Sequence, residues 1–365
     1  MIFLIANSTM LFFPIFLINY QPKFDVYSAT LLTIELVAYS AAAIMTVRGC
    51  FIISKSRVFH PNMNICICGF LIQWFESVIG RVLICSYQKG WALLPGMDNS
   101  KPYSTFYSSD ASEIITITSF RSCPQFFIGA LLITHYLVIN LLCISAILTE
   151  RVFATYLLND YESKKRPYIS WSIFWIWQLL AIIVTIGVCS MVVKIYYWLV
   201  AGMMLLTANC MGLAYIWYRN VRVYKTLDKS LIIPSKYTLQ ARFQAKENMR
   251  SFHFTKYSLA LITATLFLEY GFIMCQSLDF LQKYEVYINY FMEFCNSTHP
   301  NIVIPTMMVS VPSWKRRFFF HFTFIPGVKT FVLDKKKKGV ATVEAEQIPK
   351  IETEEYFNQF KMAWG

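Results

Sequence analysis

Residues 124–148 read PQFFIGALLITHYLVINLLCISAIL, a run that contains no Asp, Glu, Lys or Arg. The hydrocarbon core of a bilayer, about 30 Å thick, is crossed by about 20 helical residues. Inside lipid every backbone N–H and C=O must be hydrogen-bonded within the protein, which favours a helix for a single apolar run. This stretch therefore predicts a membrane-spanning helix.

Six further apolar stretches flank this run on both sides. They cover residues 28–47, 65–87, 168–193, 195–218, 257–280 and 287–311. The composition agrees, because 56% of the residues are apolar, only 15% are charged and the mean hydropathy is +0.46. A soluble domain of this length is far more polar. The sequence predicts an all-α membrane protein, a bundle of seven transmembrane helices.

The loops between these stretches differ in positive charge. With the amino terminus outside, 26 of the 33 Lys and Arg residues lie inside, six lie outside, and Arg81 lies within a span. Cytoplasmic loops retain Lys and Arg, so we predict an outside amino terminus and a cytoplasmic carboxyl terminus. The net charge of +12 therefore lies at the inner membrane surface, where anionic lipids attract Lys and Arg. We expect no nucleic-acid partner.

The chain divides into three predicted parts. Residues 1–27 form an extracellular segment, 28–320 form the seven-helix domain with a short interfacial helix after the last span, and 321–365 form a cytoplasmic tail. The first residues are apolar, but Asn7-Ser8-Thr9 and Pro14 interrupt them, so we expect neither a signal peptide nor an eighth span. Asn7 also opens a sequon and is a candidate glycosylation site.

No arrangement of residues suggests an enzyme, a cofactor or a metal site. Gly-rich phosphate loops and a G-x-S-x-G turn are missing, and the ten cysteines fit no metal-ligand spacing. Cys123 and Cys189 lie at the outer ends of the third and fourth spans, where a disulfide is chemically permitted. Cys85 and Cys275 also lie near outer ends, so the pairing stays open.

Ionisable residues within the spans are costly and usually face the bundle interior. They are Glu35, Glu76, Arg81, His135, Glu269, Glu293 and His299. Glu76 and Arg81 are five positions apart and do not share a helix face, so Arg81 is free to pair with a carboxylate on another helix. Either such residues lock the helices together, or they contact a ligand. For ligand contact we favour Arg81 and Glu293, which lie in the outer parts of their spans, and Arg81 would suit an anionic ligand.

Glu150 and Arg151 lie where the third span meets the cytoplasm. In rhodopsin-like receptors an acid beside an Arg at this depth holds the third helix closed until activation frees the Arg for the G protein. The alternative is that Arg151 is one more anchor at the inner face. Beyond the spans, Arg219, Arg222 and Lys225 recur every three residues, which predicts that the fifth helix continues past the membrane.

The block ERVFATY at 150–156, continued by Asn159 and DYE at 160–162, closely resembles the nematode serpentine receptor class epsilon family. Supporting motifs are QWFE at 73–76, IGR at 79–81 and His299-Pro300 in the seventh span. The resemblance implies a G-protein-coupled chemosensory receptor for a small environmental or pheromone-like molecule. It also implies a heterotrimeric G protein as partner and the plasma membrane of sensory cilia as location.

The seventh span departs from rhodopsin-like receptors in sequence. It reads HPNIV at 299–303, without the Asn before Pro or the Tyr after it, although Pro300 still predicts a helix kink beside His299. Because no enzymatic arrangement is found, the alternatives to a G-protein-coupled receptor are other membrane proteins. They are a seven-helix ligand-gated channel with the amino terminus inside, a transporter, and an orphan subunit that accompanies other receptors.

Overall fold

The computed structural model describes residues 1–6, 8–19, 26–56, 59, 61–98, 101–107, 113–156, 167–229, 239–278, 280 and 282–320. Asn7, the motif residues 159–162 and the predicted tail lie outside these ranges. Ten helices and three short strands are described: β1 Ile2–Ile5, β2 Thr9–Phe12, α1 Val26–Lys55, α2 Pro61–Ile72, α3 Trp74–Gln88, β3 Ile115–Ile117, α4 Pro124–Tyr156, α5 Pro167–Cys189, α6 Ile195–Lys229, α7 Leu239–Ser277, α8 Glu285–Thr298, α9 Pro300–Ser310 and α10 Pro312–Phe319.

Six helical segments of the described chain are long and apolar enough to cross a membrane. They are Ala29–Lys55, Pro61–Gln88, Pro124–Tyr156, Pro167–Cys189, Ile195–Thr226 and Ser258–Gln276. The predicted seventh span is divided between α8 and α9, because Pro300 lacks the backbone N–H that would continue the helical ladder. Each half is therefore shorter than a bilayer-crossing helix.

Helix α4 occupies the centre of the bundle. Within its most apolar window 61% of the residues are buried, against 28% in each of the other five segments. It packs against α2, α3, α5, α6 and α7. Its crossing with α3 is close, since a Cβ added to Gly80 would lie 2.7 Å from the Gly129 carbonyl oxygen. Small residues at such crossings let helix backbones approach each other in membranes.

A small sheet closes one end of the bundle, which we call the sheet end. Its strand order is β2-β1-β3, with β1 antiparallel to β2 and parallel to β3. Phe3 of β1 packs edge-on against Phe126 at the start of α4, with ring centroids 5.3 Å apart. The expectation of a wholly helical fold is thus corrected: the apolar amino-terminal run forms strands that pair with a later loop segment.

Helix α10 belongs to a second unit, which begins at Pro312. This helix carries Lys315, Arg316 and Arg317 beside Phe318 and Phe319, whose rings meet edge-on with centroids 5.1 Å apart. Cations and aromatic rings in one short helix are typical of helices that lie in a membrane interface. In the sequence the helix follows α9 directly, where the interfacial segment was predicted, and its place at a membrane interface stays a prediction.

Candidate functional site

Glu150 and Arg151 form a bidentate ion pair in the last turns of α4. The Arg151 Nε and Nη2 atoms donate to the two Glu150 carboxylate oxygens at 2.5 and 2.7 Å. The two residues are only 1% and 2% exposed. They lie about 39 Å along the helix from its start at the sheet end, and we call this the Glu150 end. The pair therefore occupies the interior of the bundle rather than its surface.

The next residues of the same motif connect α4 to α6. Asn220 Nδ2 donates to the Thr155 hydroxyl at 2.9 Å, and both side chains are buried. Arg219 stacks on Tyr156 at 4.1 Å from the ring centroid and donates to its hydroxyl. In lipid no hydrophobic force drives helices together, so polar contacts of this kind help them to associate. The Glu150 end thus has a fixed α4–α6 contact beside its buried ion pair.

A second α4–α6 contact lies nearer the centre of the bundle. Asn209 Nδ2 donates to the Ser145 hydroxyl at 2.8 Å, and both side chains are buried. Neither Asn209 nor Asn220 was singled out from the sequence. The signal was present in principle, because an Asn within an apolar span usually faces another helix.

Side chains of α3 and α4 contact the interruption between α8 and α9. The Trp74 indole donates to the Ser297 carbonyl at 2.8 Å, and the Tyr136 hydroxyl lies 3.0 Å from His299 Nδ1. Trp74, Tyr136 and His299, together with Pro300, line a cavity of about 70 Å³. The helix interruption at His299 and Pro300, where a kink was predicted, therefore packs directly against α3 and α4.

Arg81 and Glu293 lie together toward the sheet end, as an ion pair between α3 and α8. Gln88 contacts both of them: its amide oxygen accepts from Arg81 at 3.1 Å, and its amide nitrogen donates to Glu293. The Tyr39 hydroxyl of α1 accepts from Arg81 Nε at 3.4 Å. All four side chains line a cavity of about 170 Å³, which also touches Glu35.

The other carboxylates within the spans divide into two groups. Glu76 contacts His135 Nδ1 at 2.8 Å. Glu35 and Glu269 have no hydrogen bond or ion pair to any part of the chain that the structure describes. Of these three carboxylates only Glu76 therefore has a partner among the described residues, and that partner lies on another helix, α4.

The disulfide considered from the sequence is not formed. Cys123 and Cys189 are both free thiols, and both are buried in one apolar cluster that includes Phe126 and Phe127. Burial raises the pKa of the Cys123 thiol, although a hydrogen bond from Ser122 opposes the shift. Each cysteine therefore packs as a small apolar side chain. Within the described ranges no group of His, Cys, Asp and Glu could hold a metal ion.

Six long apolar helices, with a buried acid–Arg pair in the last turns of the central one and a separate cavity between α1, α3 and α8, place the protein in the class of helical membrane proteins. The whole chain, residues 1–365, matches the family described as Sre G protein-coupled chemoreceptor. The protein belongs to this family.

Curated relatives from Caenorhabditis elegans match this chain over nearly its full length. Serpentine receptor class epsilon-45 is 27% identical over 393 residues, which cover 100% of each chain. Serpentine receptor class epsilon-38 is 27% identical over 363 residues, 96% of each chain, and serpentine receptor class epsilon-31 is 25% identical over 364 residues, 98% of each. The protein is thus a multi-pass membrane protein of a chemoreceptor type, as its motifs predicted.

Proposed function

We propose that the protein is a seven-span receptor that binds a small molecule at the sheet end and signals to a heterotrimeric G protein at the Glu150 end. In this proposal α8 and α9 together form the seventh span. The amino terminus lies outside the cell and the carboxyl terminus in the cytoplasm, in accord with the distribution of Lys and Arg. Family membership supports the plasma membrane, and sensory cilia, as the location.

The observation that carries the proposal is the buried ion pair between Glu150 and Arg151. A buried ion pair adds little net stability over well-packed apolar residues, because both charges lose their hydration. Its position at the end of the central helix is better explained by a switch with two states. In the resting state Glu150 holds Arg151 inside the bundle, and in the active state Arg151 becomes available to the G-protein α-subunit.

The cavity beside Arg81 is the proposed ligand site. It combines an apolar wall with a few fixed polar groups, which is the usual composition of small-molecule sites. Ligand binding changes the balance of the two states only if the ligand binds the active state more tightly. We propose that helix movements around the cavity pass from α3, which lines it, to α4 at the Gly80–Gly129 crossing. The polar contacts of α4 with α6 continue from there to the Glu150 end.

The test is nucleotide exchange by a heterotrimeric G protein on receptor reconstituted in lipid nanodiscs. We expect Arg151→Ala to abolish both basal and agonist-stimulated exchange while surface expression stays near normal. Arg121→Ala is the matched control, because Arg121 is an exposed cation at the sheet end. Normal exchange with Arg151→Ala would remove the main support for the proposed mechanism.

A further inference from the structure

The positive charge of Arg81, which lines the cavity, is already balanced by a carboxylate. Arg81 is paired with Glu293 and also donates to Gln88 and Tyr39. An anionic ligand would have to displace Glu293 from Arg81 and leave that carboxylate without its partner inside the bundle, which is costly. The arrangement argues against the expectation from the sequence that Arg81 would suit an anionic ligand.

Glu35 is the carboxylate of this cavity that has no ion pair among the described residues. It lies on α1, one helical turn before Tyr39, and lines the cavity wall. Its carboxylate makes no ion pair or hydrogen bond with the described residues. Lys89 also lines the cavity, but it follows the last residue of α3, about two turns beyond Arg81, and forms no ion pair with Glu35 in the described chain. A carboxylate within a span that lacks an ion pair is a candidate functional residue, because its burial in the membrane is costly.

The cavity opens sideways, between α1 and α3. Leu36 of α1 and Val82 of α3 line it and yet are 57% and 71% exposed. Helix α1 packs along α2 and α9 and less extensively on α8, and it has at most a passing contact with α3. The two apolar, exposed side chains flank the opening on the surface that would face lipid. A ligand can therefore reach Glu35 from the bilayer.

The size of the cavity limits what it encloses. Pockets that bury a drug-sized molecule have volumes of about 300–1,000 Å³. A cavity of about 170 Å³ holds a head group and a few carbons. A longer apolar chain would extend through the opening along Leu36 and Val82.

We propose that this cavity binds the ammonium group of a membrane-partitioned amine, which enters between α1 and α3 and pairs with Glu35. This inference rests on the proposed function, because it names the ligand class of the same cavity. The ammonium group has two sources: a free alkylamine dissolved in the bilayer, or the head group of a lipid such as phosphatidylethanolamine.

The experiment uses dodecylamine that carries a diazirine, on full-length receptor in nanodiscs of phosphatidylglycerol, a lipid without an amine. Photolysis followed by peptide mapping should place the label on α1 and α3. Unlabelled dodecylamine should compete, whereas dodecanol and dodecanoate should compete at least tenfold more weakly. Added phosphatidylethanolamine identifies the source: competition by this lipid assigns the site to a head group, and no competition assigns it to the free amine.

Glu35→Gln should weaken competition by dodecylamine at least tenfold, which corresponds to about 1.4 kcal/mol of binding free energy. Glu35→Asp should retain most of it, because the charge is kept. The matched control is Glu113→Gln, which removes a partly exposed carboxylate near the sheet outside this cavity. Equal labelling of wild type and Glu35→Gln, or competition by dodecanoate as strong as that by dodecylamine, overturns the inference.

The outcome separates this inference from the proposed function. Glu35-independent labelling together with Arg151-dependent nucleotide exchange overturns the ligand class and leaves the receptor proposal standing. Glu35-dependent labelling without any G-protein exchange supports the amine site and counts against the receptor proposal.

Discussion

Arg81 and Glu293 form an ion pair whose two charges can be removed singly or together. If they position the ligand, Arg81→Gln and Glu293→Gln should each raise the agonist concentration for half-maximal response, by about tenfold for each 1.4 kcal/mol lost. The measurement is a concentration–response curve normalised to receptor at the cell surface. Exchange in the absence of agonist should stay unchanged, because the Glu150 end is intact.

The double variant Arg81→Gln/Glu293→Gln distinguishes this role from helix packing. Each single change leaves a charge without its partner inside the bundle, at a cost of about 3–5 kcal/mol, and the double change leaves none. If the pair only locks the helices, the double variant recovers surface expression and shows normal potency. If the pair positions ligand, expression recovers and potency stays low.

The charge of Glu150 holds Arg151 in the proposed resting state. Glu150→Gln keeps the size of the side chain but removes that charge, so we expect basal nucleotide exchange to rise about tenfold or more, with little further stimulation by agonist. The measurement is agonist-free exchange per surface receptor. A matched change at a distant carboxylate, Glu113→Gln, should leave basal exchange unaltered. Unchanged basal exchange in Glu150→Gln would contradict the restraint.

At single residues the sequence predicted which groups are buried but not which groups they meet. The separation of Glu76 and Arg81 by five positions indicated different helix faces, and the structure pairs them with His135 and Glu293 respectively. Those partners lie 59 and 212 positions away along the chain. Such pairing depends on the rotation of each helix in the bundle, which a single sequence does not encode locally.

Among the elements, α3 and α4 depend on their two glycines. A Cβ added to either Gly80 or Gly129 would lie 2.7 Å from the carbonyl oxygen of the other. We expect Gly80→Ala and Gly129→Ala to lower stability by about 1–3 kcal/mol, because the helices must separate or shift. The measurement is thermal unfolding of purified receptor.

Gly271 of α7 provides the matched control for these substitutions. A Cβ added there meets no atom within 4 Å, so Gly271→Ala should leave the melting temperature unchanged or raise it slightly through higher helix propensity. Equal melting temperatures for Gly80→Ala and Gly271→Ala would contradict the prediction that the close crossing of α3 and α4 requires glycine.

Helix positions were predicted well and helix interruptions only in part. Each apolar stretch coincides with a helix or a pair of helices, because the bilayer thickness fixes their length. Pro300 indicated the interruption between α8 and α9, whereas no residue around Gln73 indicated the interruption between α2 and α3. The strands were missed because a short apolar run such as Ile2–Ile5 has no periodicity that separates strand from helix.

For the whole molecule, the orientation in the membrane is the property that most sharply separates receptor from channel. With an epitope tag on the amino terminus, we expect antibody to bind intact cells, and a tag on the carboxyl terminus to require permeabilised cells. The reason is the excess of Lys and Arg on one side. An amino terminus reached only after permeabilisation would favour the seven-helix channel alternative.

The breaks at Gln73 and His299 lie at one level of the bundle. Their residues line the same small cavity, and the Trp74 indole bonds to the Ser297 carbonyl across it. At this level the backbone hydrogen-bond ladder is interrupted in two places, between α2 and α3 and between α8 and α9. Resistance to bending there comes from the uninterrupted helices around them, so this level of the bundle is a hinge. Force applied on the sheet side should flex the bundle at this level before it deforms either half.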